Sequence, residues 1–142
     1  MSAITIAVID GQGGGIGAHI IEKLQKTLPE SSLEKIEIIA LGTNAIATSL
    51  MMKAGANKAA TGENSIVHIS RSADIIIGSW AITVPNSMLG ELTPVMAAAI
   101  SSSGAKKLLL PLPQQGIELI GVIPEPFPHM IDKLIDRIKR IL

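Results

Sequence analysis

Ile4-Thr5-Ile6-Ala7-Val8-Ile9-Asp10-Gly11-Gln12-Gly13-Gly14-Gly15-Ile16-Gly17 decides how the rest of the chain is read. Six residues from Ile4 to Ile9, rich in β-branched side chains and apolar except for Thr5, read as a strand buried on both faces. Five glycines follow within seven residues, and an amphipathic segment takes over at once. Ile16, Ile20, Leu24 and Leu28 lie on one face of a helix over 15–28, with Glu22, Lys23, Gln25 and Lys26 turned away. A strand that enters a helix through glycines brings free N–H groups and the positive end of a helix dipole to one point. Without Cβ atoms, the loop can turn tightly and let an anion approach its backbone.

Working outward, the same alternation recurs. Ile36 to Leu41 predicts a second strand and Asn44 to Ala54 a helix, capped by Thr43 or Asn44 and stopped at Gly55. Lys58 to Ala60 is a short third strand, and a helix runs from the Thr61–Asn64 turn to about Arg71. Asp74 to Ile77 is the fourth strand. A long connection over 78–89 leads to an Ala-rich helix from Glu91 to Ser103, and Lys107 to Leu110 is the fifth strand. Pro113 to Gly116 is too short for a crossover helix, so Glu118 to Val122 is expected to return as an antiparallel sixth strand at the edge. From Phe127 the chain closes in a helix whose apolar stripe runs through Met130, Ile131, Leu134, Ile135 and Ile138. Right-handed crossovers give an α/β fold, a Rossmann-like three-layer αβα sandwich. Its mostly parallel sheet has the order 3-2-1-4-5 with the sixth strand at the edge. Residues 1–142 make one domain, and a ligand crevice is expected between strands one and four at their carboxyl ends.

Composition narrows the function. Twelve basic residues balance twelve acidic ones, and one Trp, one Phe and no Tyr leave no stacking platform, so no nucleic-acid partner is expected. Mean hydropathy is high at +0.45. No apolar run approaches the roughly 20 residues of a membrane span, and no secretory signal is seen, so no membrane partner is expected and the compartment is read as cytoplasmic. The absence of Cys excludes disulfides and thiolate metal sites. The aliphatic surplus fits a sheet covered on both faces together with a subunit interface, so a homo-oligomer is expected.

The glycine loop is not the G-x-G-x-x-G fingerprint of dinucleotide enzymes, because Ile16 stands where the third glycine or alanine would fall. No Gly-Lys-Ser/Thr follows, which excludes a Walker A loop. Nor does the second strand end in the acidic residue that holds a ribose: the turn reads Leu41-Gly42-Thr43-Asn44. Gly11, Gln12, Gly13, Gly14, Gly15, Ile16 and Gly17 are the candidate phosphate-binding residues, and Thr43 and Asn44 the candidate ribose partners. Glycines serving only tight strand-to-helix packing are the competing explanation. Asp10, Glu63 and Glu91 are the weak catalytic candidates, since paired carboxylates facing one crevice can act as acid and base. Each has a structural alternative: Asp10 folding its own loop, Glu63 and Glu91 favoured by the dipole of a first helical turn. His19, His68 and His129 lack ligand spacing, so no metal site is assigned. Ser79, Ser87 and Ser101 to Ser103 lack the setting of a nucleophile. Trp80 is expected beside the crevice, stacked on a ligand or packed against a partner.

Gly11, Gly15 and Gly17 match G-x-x-x-G-x-G, which is similar to the cofactor loop of the short-chain dehydrogenases/reductases over this segment alone. That family's catalytic Tyr is absent, so the resemblance implies a way to bind a dinucleotide without that chemistry. Over nearly its whole length the chain resembles an uncharacterised bacterial family, domain of unknown function 3842. The resemblance rests on IDGQGGGIG (9–17), ALGTNAIAT (40–48), KAGAN (53–57), ATGEN (60–64), ADIIIG (73–78) and LGELTPVMA (89–97). It implies a Rossmann-like fold and transfers no catalytic residue. Three functions follow: a nucleotide- or dinucleotide-binding module, with NAD(P) or another nucleotide as the cofactor; an NAD(P)-dependent oxidoreductase of a small molecule; and a non-catalytic oligomeric interaction protein.

Overall fold

The computed structural model describes residues 3–142. Five strands, β1 (Ile4–Asp10), β2 (Ile36–Gly42), β3 (Lys58–Thr61), β4 (Ile75–Ser79) and β5 (Lys106–Leu110), pair in parallel in the order β3-β2-β1-β4-β5. Six helices connect and follow them: α1 (Gly15–Thr27), the single turn α2 (Glu30–Leu33), α3 (Ala45–Lys53), α4 (Glu63–Ser70), α5 (Pro94–Ser102) and α6 (Phe127–Ile141). Strand side chains alternate between faces. Ile6 and Val8 of β1, Ile38 of β2 and Ile77 of β4 therefore pack with α1, α3 and α6, while Ala7, Ile9, Ile39 and Ile76 pack with α4 and α5. With both faces covered, the central strands β1, β2 and β4 read as largely apolar runs, and the Rossmann-like αβα arrangement follows.

Two expected elements differ. The antiparallel sixth strand is absent. Residues 118–122 form no ladder, and the antiparallel bridge nearby, Gln114 to Ile117, precedes them. Gly116 and Gly121 sit at φ +78° and +89°, and the Val122 N–H turns back to the Leu119 carbonyl at 3.4 Å. A turn inside the segment breaks the alternation a strand needs, and Pro111, Pro113, Pro124 and Pro126 limit pairing around it. Among the described residues β5 therefore remains an edge.

The second difference is the start of the Ala-rich helix. It begins at Pro94 instead of Glu91, because the Thr93 hydroxyl caps the Met96 N–H at 3.1 Å and Pro94 suits the first helical position. Glu91 thus belongs to the connection, and the first-turn explanation for its carboxylate does not hold. That connection opens with a 3-10 turn, Trp80–Thr83, and runs on to Thr93 through four residues with positive φ: Asn86, Met88, Leu89 and Gly90. No helix among the described residues is long and apolar enough to cross a membrane.

Candidate functional site

The glycine loop divides into an inner and an outer set. Gly11, Gly14 and Gly17 are buried. A Cβ on Gly14, at φ +75°, would lie 2.7 Å from the Ala47 Cα, and one on Gly17 would press on Met51 and, at 3.0 Å, the Asp10 Cβ. A Cβ on Gly11 would meet the Thr43 hydroxyl at 2.5 Å and Met88 sulfur at 2.7 Å. Backbone blocks a side chain at Gly14, and at Gly11 and Gly17 neighbouring side chains would have to move to admit one. Gly13 and Gly15 are exposed, and a Cβ on either would meet nothing within 4 Å. Packing explains the first three and leaves these two without a reason internal to the chain.

Asp10 is turned inward under the loop. It is 5% exposed and accepts the Gly11 N–H at 2.8 Å and the Gly17 N–H at 2.7 Å. The carboxylate therefore spans the loop from beneath and holds one of the first N–H groups of α1. Burial is the largest influence and raises its pKa. The Gly17, Gly11 and Ile16 N–H groups oppose that rise, while the charge of Glu91 adds to it.

Glu91 comes from the other side, across the sheet edge. Its Oε1 accepts the Gln12 N–H at 2.7 Å, the Thr43 hydroxyl at 2.7 Å and the Asn44 Nδ2–H at 2.8 Å. These donors hold its pKa below the ordinary Glu value, with burial opposing. The turn after β2 is fixed to the same place, since the Thr43 N–H donates to the Asp10 carbonyl and Asn44 Nδ2 also donates to the Gln12 carbonyl. Asn44 in addition caps α3 by accepting the Ala47 N–H at 2.9 Å. Thr43 and Asn44, the expected ribose partners, thus stand beside the loop with their polar atoms engaged by Glu91. The second strand lacks a terminal carboxylate, yet the fold delivers one there from residue 91. Sequence reasoning missed this because Thr43, at the end of the second strand, and Glu91 are 48 positions apart along the chain.

Glu63 begins α4 and its Oε2 accepts the Thr93 hydroxyl at 2.6 Å, which joins the starts of α4 and α5. All three candidate carboxylates lie on the carboxyl edge of the sheet, and each is already engaged within the chain. The crevice expected between β1 and β4 is covered. The 3-10 turn folds Ile82 over Gly78, where a Cβ would lie 3.1 Å from that side chain, and Met88 and Glu91 close over Gly11. Trp80 does not face it: its Nε1–H donates to the Leu112 carbonyl at 2.6 Å, on the β5 side.

The open side of the loop faces a depression of about 350 Å³ between Gly13 and α3, lined by Ala45, Ile46, Ser49, Leu50 and Lys53. Ile46 and Leu50 are exposed there, beside a hydroxyl and an ammonium group. No group of three or more His, Asp or Glu able to hold a metal occurs among the described residues. The sequence reading missed Ser49 and Lys53; the signal was that an apolar stripe on α3 exceeds what its buried face, Ala47 and Met51, requires.

No curated protein and no solved structure matches the chain. The stretches that meet around Glu91, the glycine loop, the turn after β2 and the approach to α5, are among those that carry the family resemblance. The family model extends beyond them over residues 5–142, and the chain belongs to the family described as domain of unknown function DUF3842.

Proposed function

We propose that this chain is a nucleotide-binding module whose ligand phosphate sits on the outer side of the glycine loop, at the N–H groups of Gly13 and Gly15. The observation that carries the proposal is that these two glycines are exposed, with no neighbour to demand them, at the start of a 13-residue helix. A bare backbone at a helix N-terminus is the usual seat of a phosphate. The body of the ligand lies over Ile46 and Leu50, and Lys53 offers a counter-charge to a second phosphate. Asp10 sets the loop from below and takes no part in contact. Glu91 holds the loop to the turn after β2, and its second oxygen is the acceptor for a ribose hydroxyl. An acid in that role favours a free 2′-hydroxyl over a 2′-phosphate, so NAD is favoured over NADP should the ligand be a dinucleotide.

The test is thermal unfolding against NAD(H), NADP(H), ATP, ADP, GTP, FMN, FAD and S-adenosylmethionine, with and without Mg²⁺. A ligand at 100 times its dissociation constant stabilises the native state by about 2.7 kcal/mol. A Cβ on Gly13 or Gly15 meets nothing within 4 Å, so Gly13→Val and Gly15→Val should fold as the native chain does and lose the ligand-induced shift. No shift with any nucleotide, or shifts that survive both substitutions, would refute the phosphate seat.

A further inference from the structure

The segment that fails to become a sixth strand leaves a face unfinished. Ile117, Leu119, Ile120, Val122 and Ile123 are all exposed, Ile120 at 88% and Ile123 at 80%, within seven residues. Beside them, between the segment and β5, lies a cavity of about 480 Å³ lined by Leu108, Leu110, Val122, Met130 and Leu134, with Arg137 on its rim. The Lys106 N–H bonds to the Asp74 carbonyl at 2.9 Å. By alternation Leu108 and Leu110 turn their backbone groups to β4, and Lys107 and Leu109 turn theirs to the free edge. Glu125 also lines the cavity. One of its oxygens pairs with Lys133 at 2.7 Å, and the other is buried with no donor among the described residues.

We infer that a second copy of this chain covers this face, related by a two-fold axis, with the apolar segment of each copy lying over the cavity of the other. An isologous contact requires one surface to carry both the projection and its receptacle, and here they are adjacent. The five side chains expose on the order of 500 Å² of apolar surface, near the upper limit of the largest patch on an ordinary monomer. Doubled by the axis, this reaches about 1,000 Å², where specific interfaces begin. Charge agrees with the geometry. Glu118 lies in the apolar segment and Arg137 on the cavity rim, and neither has an ion-pair partner among the described residues. The two-fold brings each Glu118 to Arg137 on the partner copy's rim, so these two charges meet. The same contact shields the bare edge of β5 from indiscriminate pairing.

Sedimentation of the full chain over a wide concentration range tests the inference. The native chain should be a dimer. Ile120→Lys and Ile123→Lys, both at exposed positions, should be monomers with unchanged circular dichroism. Glu118→Arg and Arg137→Glu should each raise the dimer dissociation constant at least tenfold, and the double exchange should restore it. A native chain that stays monomeric, including one that binds lipid vesicles or a different protein through this segment, overturns the inference. So does a dimer indifferent to both lysine substitutions, or a charge exchange that fails to rescue.

Discussion

Two carboxylates hold the glycine loop, one from beneath and one from the side, and their surroundings push them in opposite directions. Asp10 is buried, so its pKa is raised above the ordinary Asp value. Such a group favours the folded state when protonated; its contribution is present below the unfolded pKa and is lost as pH rises through the folded one. Glu91 is lowered by its three donors. Its contribution is present above the ordinary Glu value and is lost as pH falls through the lower, folded value. Denaturant titrations from acidic to neutral pH should therefore separate them. Asp10→Asn should remove a component of stability that declines with rising pH, and Glu91→Gln one that declines with falling pH. Slopes of the same sign in the two variants would contradict this description of the loop. At this scale the sequence was only partly legible. Asp10, Thr43 and Asn44 could be placed beside the glycines from local order alone. Which glycines are packed and which are open depends on Ala47, Met51 and Met88, whose approach no local pattern announces.

Among the elements, the connection from Ser79 to Thr93 carries the most local strain. Met88 and Leu89 adopt φ of 58° and 56°, a region that side chains other than Gly, Asn and Asp rarely occupy. Met88 packs over Gly11, whereas Leu89 is 97% exposed and makes no comparable contact. Leu89→Gly should remove the left-handed penalty of about 1–2 kcal/mol at the entropic cost of a glycine, about 0.5–1 kcal/mol. Urea denaturation should show a net gain of up to about 1.5 kcal/mol, and a loss would mean that Leu89 has a contact of its own. Elements with a strong period were legible: α6 begins at Phe127 as its apolar stripe predicts. The start of α5 was also legible in principle, since Thr93 followed by Pro94 is a cap and a first-turn proline, but the acid at Glu91 gave a competing signal. The sixth strand was not legible, because an apolar run such as Ile117 to Ile123 reads alike whether it covers a sheet edge or faces outward. What decides the matter is the left-handed Gly121, a property of the turn and not of hydrophobicity.

At the scale of the whole molecule, two apolar layers sandwich one sheet, and they are not equally tied to the chain. The layer under α4 and α5 lies between strands and is enclosed by connections. The layer under α1, α3 and α6 is completed by the last helix, which docks after the sheet has ended. Ile131 and Ile138 of that helix are fully buried, so Ile138→Ala should cost about 2–5 kcal/mol, the usual range for a core Ile truncated to Ala. Chemical denaturation checks this, and a cost well under 1 kcal/mol would show that α6 is dispensable to the core. The order of the sheet was legible because right-handed crossovers leave few choices once β1, β2 and β4 are recognised. The covered crevice was not, since it depends on how a 14-residue connection lies over the strand ends.

The position of β1 also imposes an order of events on a chain made from its N-terminus. Its neighbours are β2 and β4, and Ile6 pairs with Ile75, 69 positions later. Until the polypeptide through Ser79 has left the ribosome, Ile6 to Ile9 lack one of their two flanking strands. More than half of these residues must be synthesised before the sheet can close at its centre, and during that interval an apolar strand waits without its second neighbour, the kind of exposed segment that favours aggregation.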